Sequence, residues 1–329
     1  MHDDVRRLFQ SIGVGDPGYR EISIAERGQS AAARWPLLAA TNQLLAMRPP
    51  AVSGARPGGK RRRGVTVAVC SQRGGVGRTT LVANLTASLT QSGRRALAVD
   101  FDPQDALALH FGVEPGQAQG IATRELGPRQ AQPWLLRFRG GPPCIPFGQP
   151  DPAALKLLES SLLADRDWLK GRLDELQPAE TEFVLLDTPA GASPWTRQAL
   201  DAADLVLVVL QADAASYATL PALEELLDSA PEARAHTRFL VNRFDERREL
   251  DRDVLAALRG YLAERALPFA MHDDDVVGEA LARRHLITVE GGSSQVAADL
   301  RVLAGWAEAS GDQLLELRPA RGTVAAAAR

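Results

Sequence analysis

From residue 64 onward, apolar runs alternate with stretches of helical spacing. The runs are Val65–Val69, Ala96–Val99, Phe183–Leu186, Leu205–Leu210 and Phe239–Val241, with a weaker one at Leu267–Ala270. Continuous runs of this kind suit strands buried on both faces of a parallel sheet. Between them, Ala153–Leu163, Leu220–Leu227 and Val254–Leu262 carry apolar residues at helical intervals. A last helix near Val296–Trp306 sets Leu300, Leu303 and Trp306 on one side. The pattern predicts an α/β fold: a mostly parallel sheet with helices on both faces and functional loops at the carboxyl ends of the strands. This domain is expected to span 64–317, followed by a loose tail over 318–329.

The first 47 residues follow a different pattern. Val5, Leu8, Phe9 and Ile12 share one helical face, with Asp3 or Asp4 as a cap. Ile22 and Ile24 follow, then Arg34-Trp35-Pro36-Leu37-Leu38. So small a segment cannot bury Phe9, Trp35 and Leu37 within itself, so a small, mostly helical extension over 1–47 is expected to dock on the main domain or on a partner. Proline, glycine and the run Lys60-Arg61-Arg62-Arg63 make 48–63 a flexible basic linker.

Charge and cysteine usage narrow the chemistry. A net charge of −3 over 329 residues argues against a strongly basic nucleic-acid binder, and so against DNA as a partner. Cys70 and Cys144 are far apart and form no C-x-x-C pair, which leaves zinc and iron–sulfur sites without support. Met1-His2-Asp3-Asp4 lacks the apolar core of a signal peptide, and the six-residue run Leu205–Leu210 is far too short to span a bilayer. A cytoplasmic location without direct membrane insertion is expected.

The candidate chemistry gathers where strands end. Gln72-Arg73-Gly74-Gly75-Val76-Gly77-Arg78-Thr79-Thr80 follows the first strand and opens a helix marked by Leu81, Leu85 and Leu89. Strand, glycine loop and helix in that order form a phosphate cradle: backbone N–H groups point inward, and the helix N-terminus favours an anion. Thr79 is placed to put its hydroxyl on Mg²⁺. Further strands run into Asp100-Phe101-Asp102-Pro103-Gln104 and into Asp187-Thr188-Pro189-Ala190-Gly191, while Phe239–Val241 runs into Asn242. A carboxylate at such a strand end, opposite a phosphate loop, can reach metal or water.

The loop resembles the K-G-G-x-G-K-T-T loop of the ParA/MinD-like deviant-Walker P-loop NTPases, with Arg73 and Arg78 standing where the two lysines would be. That resemblance implies ATP and Mg²⁺ as cofactors. It implies phosphate contacts from Gly74, Gly75, Val76, Gly77, Arg78, Thr79 and Thr80, with Asn242 at the adenine and the loop Pro268–Asp275 over the base. Thr79 and Asp187 would hold the metal, Asp187 through water, with Asp100 beside it, and Asp102 would orient the attacking water. Arg73 would reach across a two-fold interface to the partner's nucleotide in an ATP-sandwich homodimer. A planar guanidinium does not reproduce a compact ammonium, so binding, which rests on the loop amides, is expected to survive the two arginines better than turnover does.

Further segments narrow the family. Pro143–Gln149, Leu240–Asp245 and Asp274–Ala282 look like the BcsQ (YhjQ) family of bacterial cellulose secretion, over about residues 64–308. The opening helix, Tyr19–Ile24 and Arg34–Leu38 are similar to its small companion BcsR. The resemblance implies an ATP-dependent assembly or localisation factor. It would be held at the inner membrane through cellulose synthase and accessory secretion subunits. The alternatives are a ParA-type DNA-partition ATPase and a non-hydrolysing, nucleotide-bound scaffold.

Overall fold

The first apolar run forms β1 (Val65–Cys70), whose six residues are all buried. Valine at alternate positions favours a pleated strand, and its side chains divide between the two faces. Val65, Val67 and Val69 enter one core; Ala68 and Cys70 enter the other. This computed structural model describes residues 30–46, 64–113, 119–123, 135–136, 141–176, 180–287 and 293–317.

Around β1 stand β2 (Ala96–Asp100), β3 (Cys144–Ile145), β4 (Phe183–Asp187), β5 (Leu205–Gln211), β6 (Thr237–Phe244) and β7 (Ala266–His272). They form one sheet in the order β3-β2-β4-β1-β5-β6-β7, with every pairing between neighbours parallel. The chain leaves β1 toward one edge to build β2 and later returns on its other side as β5. Loops at the carboxyl end of β1 therefore open into the crevice that such a reversal creates.

One face of the sheet is covered by α2 (Arg78–Gln91) and α11 (Gln295–Leu317), through residues such as Leu85, Leu89, Leu300 and Leu303. The last helix runs well past Trp306 to Leu317. The other face is covered by α3 (Pro152–Ala164), α4 (Trp168–Leu176), α5 (Pro194–Ala202), α6 (Ala214–Ala218), α7 (Leu220–Asp228), α8 (Pro231–Ala235) and α9 (Glu249–Leu262). A short helix α10 (Val276–Ala282) follows β7. Among the described residues, no helix is long and apolar enough to cross a membrane.

The described part of the N-terminal segment packs on its own chain. Proline at the first helical position starts α1 (Pro36–Ala46). Leu38 is fully buried in the core cluster that holds Tyr217, Leu220 and Leu223. Trp35 donates from Nε1 to Asp253 Oδ2 at 2.9 Å, the Tyr217 hydroxyl donates to Asn42, and Arg34 pairs with Glu249 and Asp253. Leu37 departs from expectation: it is 48% exposed, and Leu38 takes the buried position. The helix expected over Val5–Ile12, the stretch Tyr19–Ile24, the linker 48–63 and the tail 318–329 lie outside the described residues.

Candidate functional site

At the carboxyl end of β1 the chain turns back on itself through two glycines in the left-handed region, Gly75 (φ 76°) and Gly77 (φ 96°). A Cβ on Gly77 would lie 2.5 Å from Asn242 Nδ2, so only glycine fits there. That approach carries a hydrogen bond: Asn242 Nδ2 donates to the Val76 carbonyl at 2.7 Å and clips the loop from the β6 side. The Val76 side chain is buried in the core, leaving its backbone to the loop. No side chain caps the N-terminus of α2, so its first-turn amides remain available to an anion.

Three carboxylates approach this loop from β2 and β4. Asp100 and Asp187 end their strands as direct register partners. Asp100 is fully buried, and its two oxygens accept from Asp102 N (3.0 Å) and Leu107 N (2.9 Å). Burial and the facing Asp187 hold its pKa well above the usual carboxylate range. It thereby shapes the turn that carries Asp102. That residue is nearly buried; Oδ1 accepts from Gln104 N at 3.0 Å, and Oδ2 lies 4.0 Å from Arg78 Nη2. Asp187 is different. It is 1% exposed, and among the described residues neither carboxylate oxygen makes a hydrogen bond of full geometry, although the Thr79 hydroxyl is near. Burial pushes its pKa up to about 7, against the pull of the Thr79 hydroxyl and of Arg78.

The two arginines do separate things. Arg73 leaves the loop and donates from Nη1 to both oxygens of Asp213, at 2.9 and 3.0 Å. Arg78 is 8% exposed and lies under the loop, bonded to Ser71, to the Arg73 carbonyl and to the Thr188 carbonyl. Asp213, Ser71 and Thr188 were not anticipated as partners. Only Asp213 has a local signal, an Asp-x-x-Ser cap just after a strand at the loop-bearing end of the sheet.

Between the glycine loop and the β7 loop lies a cavity of about 570 Å³. Gly74, Gly75, Gly77, Arg78, Thr79, Thr80 and Asp102 line one end; Asn242, Arg243 and His272 to Asp275 line the other. The far wall is held by α11: Asp299 accepts from the His272 backbone N–H at 2.8 Å and meets His272 Nδ1 at 2.9 Å, while Asp274 Oδ2 accepts from Val296 N at 3.4 Å. Arg73, Asp100 and Asp187 do not line this space. The volume suits a nucleotide-sized ligand with its phosphates at the glycine end.

The residues present fit a magnesium ion. A buried carboxylate without a hydrogen bond of full geometry demands a cation or water, and Asp187 is such a group. Among the described residues no cluster of three or more His, Cys, Asp or Glu forms a self-sufficient metal cage. Thr79 and Asp187 are the residues that would hold the ion, with phosphate oxygens and water completing its shell.

Comparison with known proteins agrees with this geometry. Residues 65–307 match the family described as cellulose biosynthesis protein BcsQ, and residues 2–41 match cellulose biosynthesis protein BcsR-like. The cellulose biosynthesis protein BcsQ of Escherichia coli is 28% identical over 240 residues, covering 71% of this chain and 90% of that one. The chromosome partitioning protein ParA of Myxococcus xanthus is 32% identical over 208 residues, 60% of this chain and 71% of its own. Among solved structures, the septum site-determining protein MinD of Pyrococcus horikoshii, complexed with Mg-ADP, has the same fold. Its TM-score is 0.60 at 22% identity, over 74% of this chain and 96% of that one.

Proposed function

Because the chain belongs to the cellulose biosynthesis protein BcsQ family, we propose that it is an ATP-binding, ATP-dependent dimerising assembly or localisation factor for the bacterial cellulose synthase secretion complex. Its place would be the cytoplasmic side of the inner membrane, reached through cellulose synthase and accessory secretion subunits. The observation that carries the nucleotide reading is the pairing of an uncapped helix behind a left-handed glycine turn with the buried carboxylate of Asp187, which makes no hydrogen bond of full geometry among the described residues.

Each residue has a task in this reading. Loop amides from Gly74 to Thr80 bind phosphate, and Asn242 fixes the loop while facing the base end of the cavity. Magnesium, when bound, neutralises phosphate charge, held by Thr79 and Asp187. Asp102 orients water at the phosphate end, on a turn set by Asp100. Arg73 is the cation offered to a second subunit, which joins nucleotide binding to dimer formation. ATP selects the dimer, and slow hydrolysis releases it.

A second reading is a scaffold that retains nucleotide without turnover. Its specific support is Arg78, whose guanidinium bonds to protein acceptors on two loops. Size-exclusion chromatography with light scattering, with and without ATP·Mg²⁺, tests the main reading on the wild type and Arg73→Ala. A doubling of mass with ATP, lost in Arg73→Ala, is expected. A mass unchanged by ATP removes the dimer from the mechanism. Phosphate release from the same samples separates switch from scaffold.

A further inference from the structure

Arg78 stands at the meeting of three segments. Its Nε donates to the Thr188 carbonyl at 2.8 Å, on the loop that follows β4. Nη1 donates to the Arg73 carbonyl at 2.7 Å and to the Ser71 hydroxyl, both at the entrance of the glycine loop. Nη2 faces Asp102 Oδ2 at 4.0 Å. Two further bonds run between the same loops: Gly191 N donates to the Ser71 carbonyl at 2.9 Å, and Thr188 Oγ1 donates to the Val69 carbonyl at 2.9 Å.

We infer that Arg78 is a positioning residue that ties the loop Asp187–Gly191 to the glycine loop before any nucleotide arrives. The inference rests on the nucleotide reading above and specifies how that site is regulated. Ordering of this loop by a γ-phosphate is the usual source of a difference between triphosphate and diphosphate states. Here the ordering contacts come from the protein. A flat guanidinium holds acceptors on two loops at once in fixed directions, and a lysine ammonium on a flexible stem does not. The consequence is local: this loop takes one position with ATP, with ADP and with neither, so the preference for ATP that selects the dimer comes from contacts outside it. A ligand can shift an equilibrium only by its differential affinity for the two states.

Amide hydrogen exchange over residues 188–193 reads this directly. Exchange in the wild-type protein is expected to be slow without nucleotide and to change less than about threefold on adding ADP·Mg²⁺ or a non-hydrolysable ATP analogue with Mg²⁺. In Arg78→Lys the same amides should exchange about tenfold faster or more without nucleotide, and regain protection with the ATP analogue alone. Wild-type protection that appears only with the ATP analogue overturns the inference. So does an Arg78→Lys protein whose nucleotide-free exchange matches the wild type. Should Arg78→Lys fold poorly, the wild-type comparison across the three states decides alone. Should no nucleotide bind at all, the functional reading falls, and the nucleotide-free exchange of the two proteins still decides the tie.

Discussion

Arg73 donates from Nη1 to both carboxylate oxygens of Asp213, at 2.9 and 3.0 Å, folding the loop's first cation back onto its own subunit. The same nitrogen lies 3.3 Å from the Ser216 hydroxyl, and Asp213 Oδ1 caps α6 by accepting from Ser216 N at 2.6 Å. Burial alone would raise the Asp213 pKa; the Ser216 amide and Arg73 outweigh it and hold the group below the usual carboxylate range. A cation that must reach a second subunit first has to leave this pair. Asp213→Asn keeps the cap and weakens the hold. The pair is about a third exposed, so it is worth about 1 kcal/mol or less. Half-maximal dimerisation should need up to about fivefold less ATP. Light scattering across an ATP titration checks this, and a midpoint that rises instead means Arg73 acts from where Asp213 holds it.

Asp187→Asn should separate metal binding from stability. The buried carboxylate makes no hydrogen bond of full geometry among the described residues, so neutralising it is expected to raise metal-free stability by about 1–3 kcal/mol at pH 8. The sign follows from its raised pKa. Between the ordinary 3.8 and about 7 the folded protein holds a proton that the unfolded chain has released, so stability falls as pH rises through that window. Asp187→Asn should flatten that slope in EDTA and abolish Mg²⁺-dependent nucleotide binding. Denaturant unfolding at several pH values and calorimetry with Mg²⁺ measure the two halves.

Neighbouring glycines should respond differently to alanine. Gly77 has φ 96° and a Cβ path 2.5 Å from Asn242 Nδ2, whereas Gly74 has ordinary φ and open space. Gly77→Ala should lower stability by about 1–3 kcal/mol and loosen the Asn242 clip. Gly74→Ala should unfold within about 0.5 kcal/mol of the wild type. Thermal unfolding of the two variants without nucleotide makes the comparison.

Much of this was readable in the sequence, for a local reason. Strands buried on both faces need unbroken apolar runs, and Val65–Val69 and Leu205–Leu210 supply them without ambiguity. The strand-end aspartates stand out because charge interrupts such a run abruptly. What escaped is non-local or very short. The edge strand Cys144–Ile145 has only two residues and sits between prolines. The partners of Arg78 are a hydroxyl and two carbonyls, one of them 110 residues away, and carbonyl acceptors leave no mark in a sequence. The division of labour between Asp100 and Asp187 escaped for the same reason. Both end apolar runs, and only the turn that follows β2 supplies amides to one of them.

His110 should give the protein an acid-sensitive step. It is 5% exposed beside Thr80, and burial lowers its pKa from 6.5 to about 4. The unfolded chain takes up the proton first, so stability is full above about pH 6.5 and declines toward pH 4, by up to about 3 kcal/mol. His110→Gln should remove that part of the decline. Urea unfolding midpoints between pH 4.5 and 7.5 for the two proteins provide the check.

Leu38→Ala tests the docking of α1. Loss of a fully buried leucine against the α6–α7 side of the core should cost about 2–5 kcal/mol. Leu37→Ala, at a half-exposed position, should cost less than about 0.5 kcal/mol. Equal effects of the two would mean that the helix does not rest on this core in solution.

The packing of α1 on its own chain also bears on supply. Where a regulator and its target are separate molecules, the amount of complex follows how much of each the cell makes, and excess of one leaves orphans of the other. A single polypeptide whose BcsR-like stretch supplies Trp35 and Leu38 to the α6–α9 surface, with Asn42 just beyond it, has a composition fixed at one to one by translation itself. Dilution cannot strip that partner away, and gene dosage cannot unbalance it. Any control exerted through this surface would act on its occupied state rather than on the abundance of what occupies it.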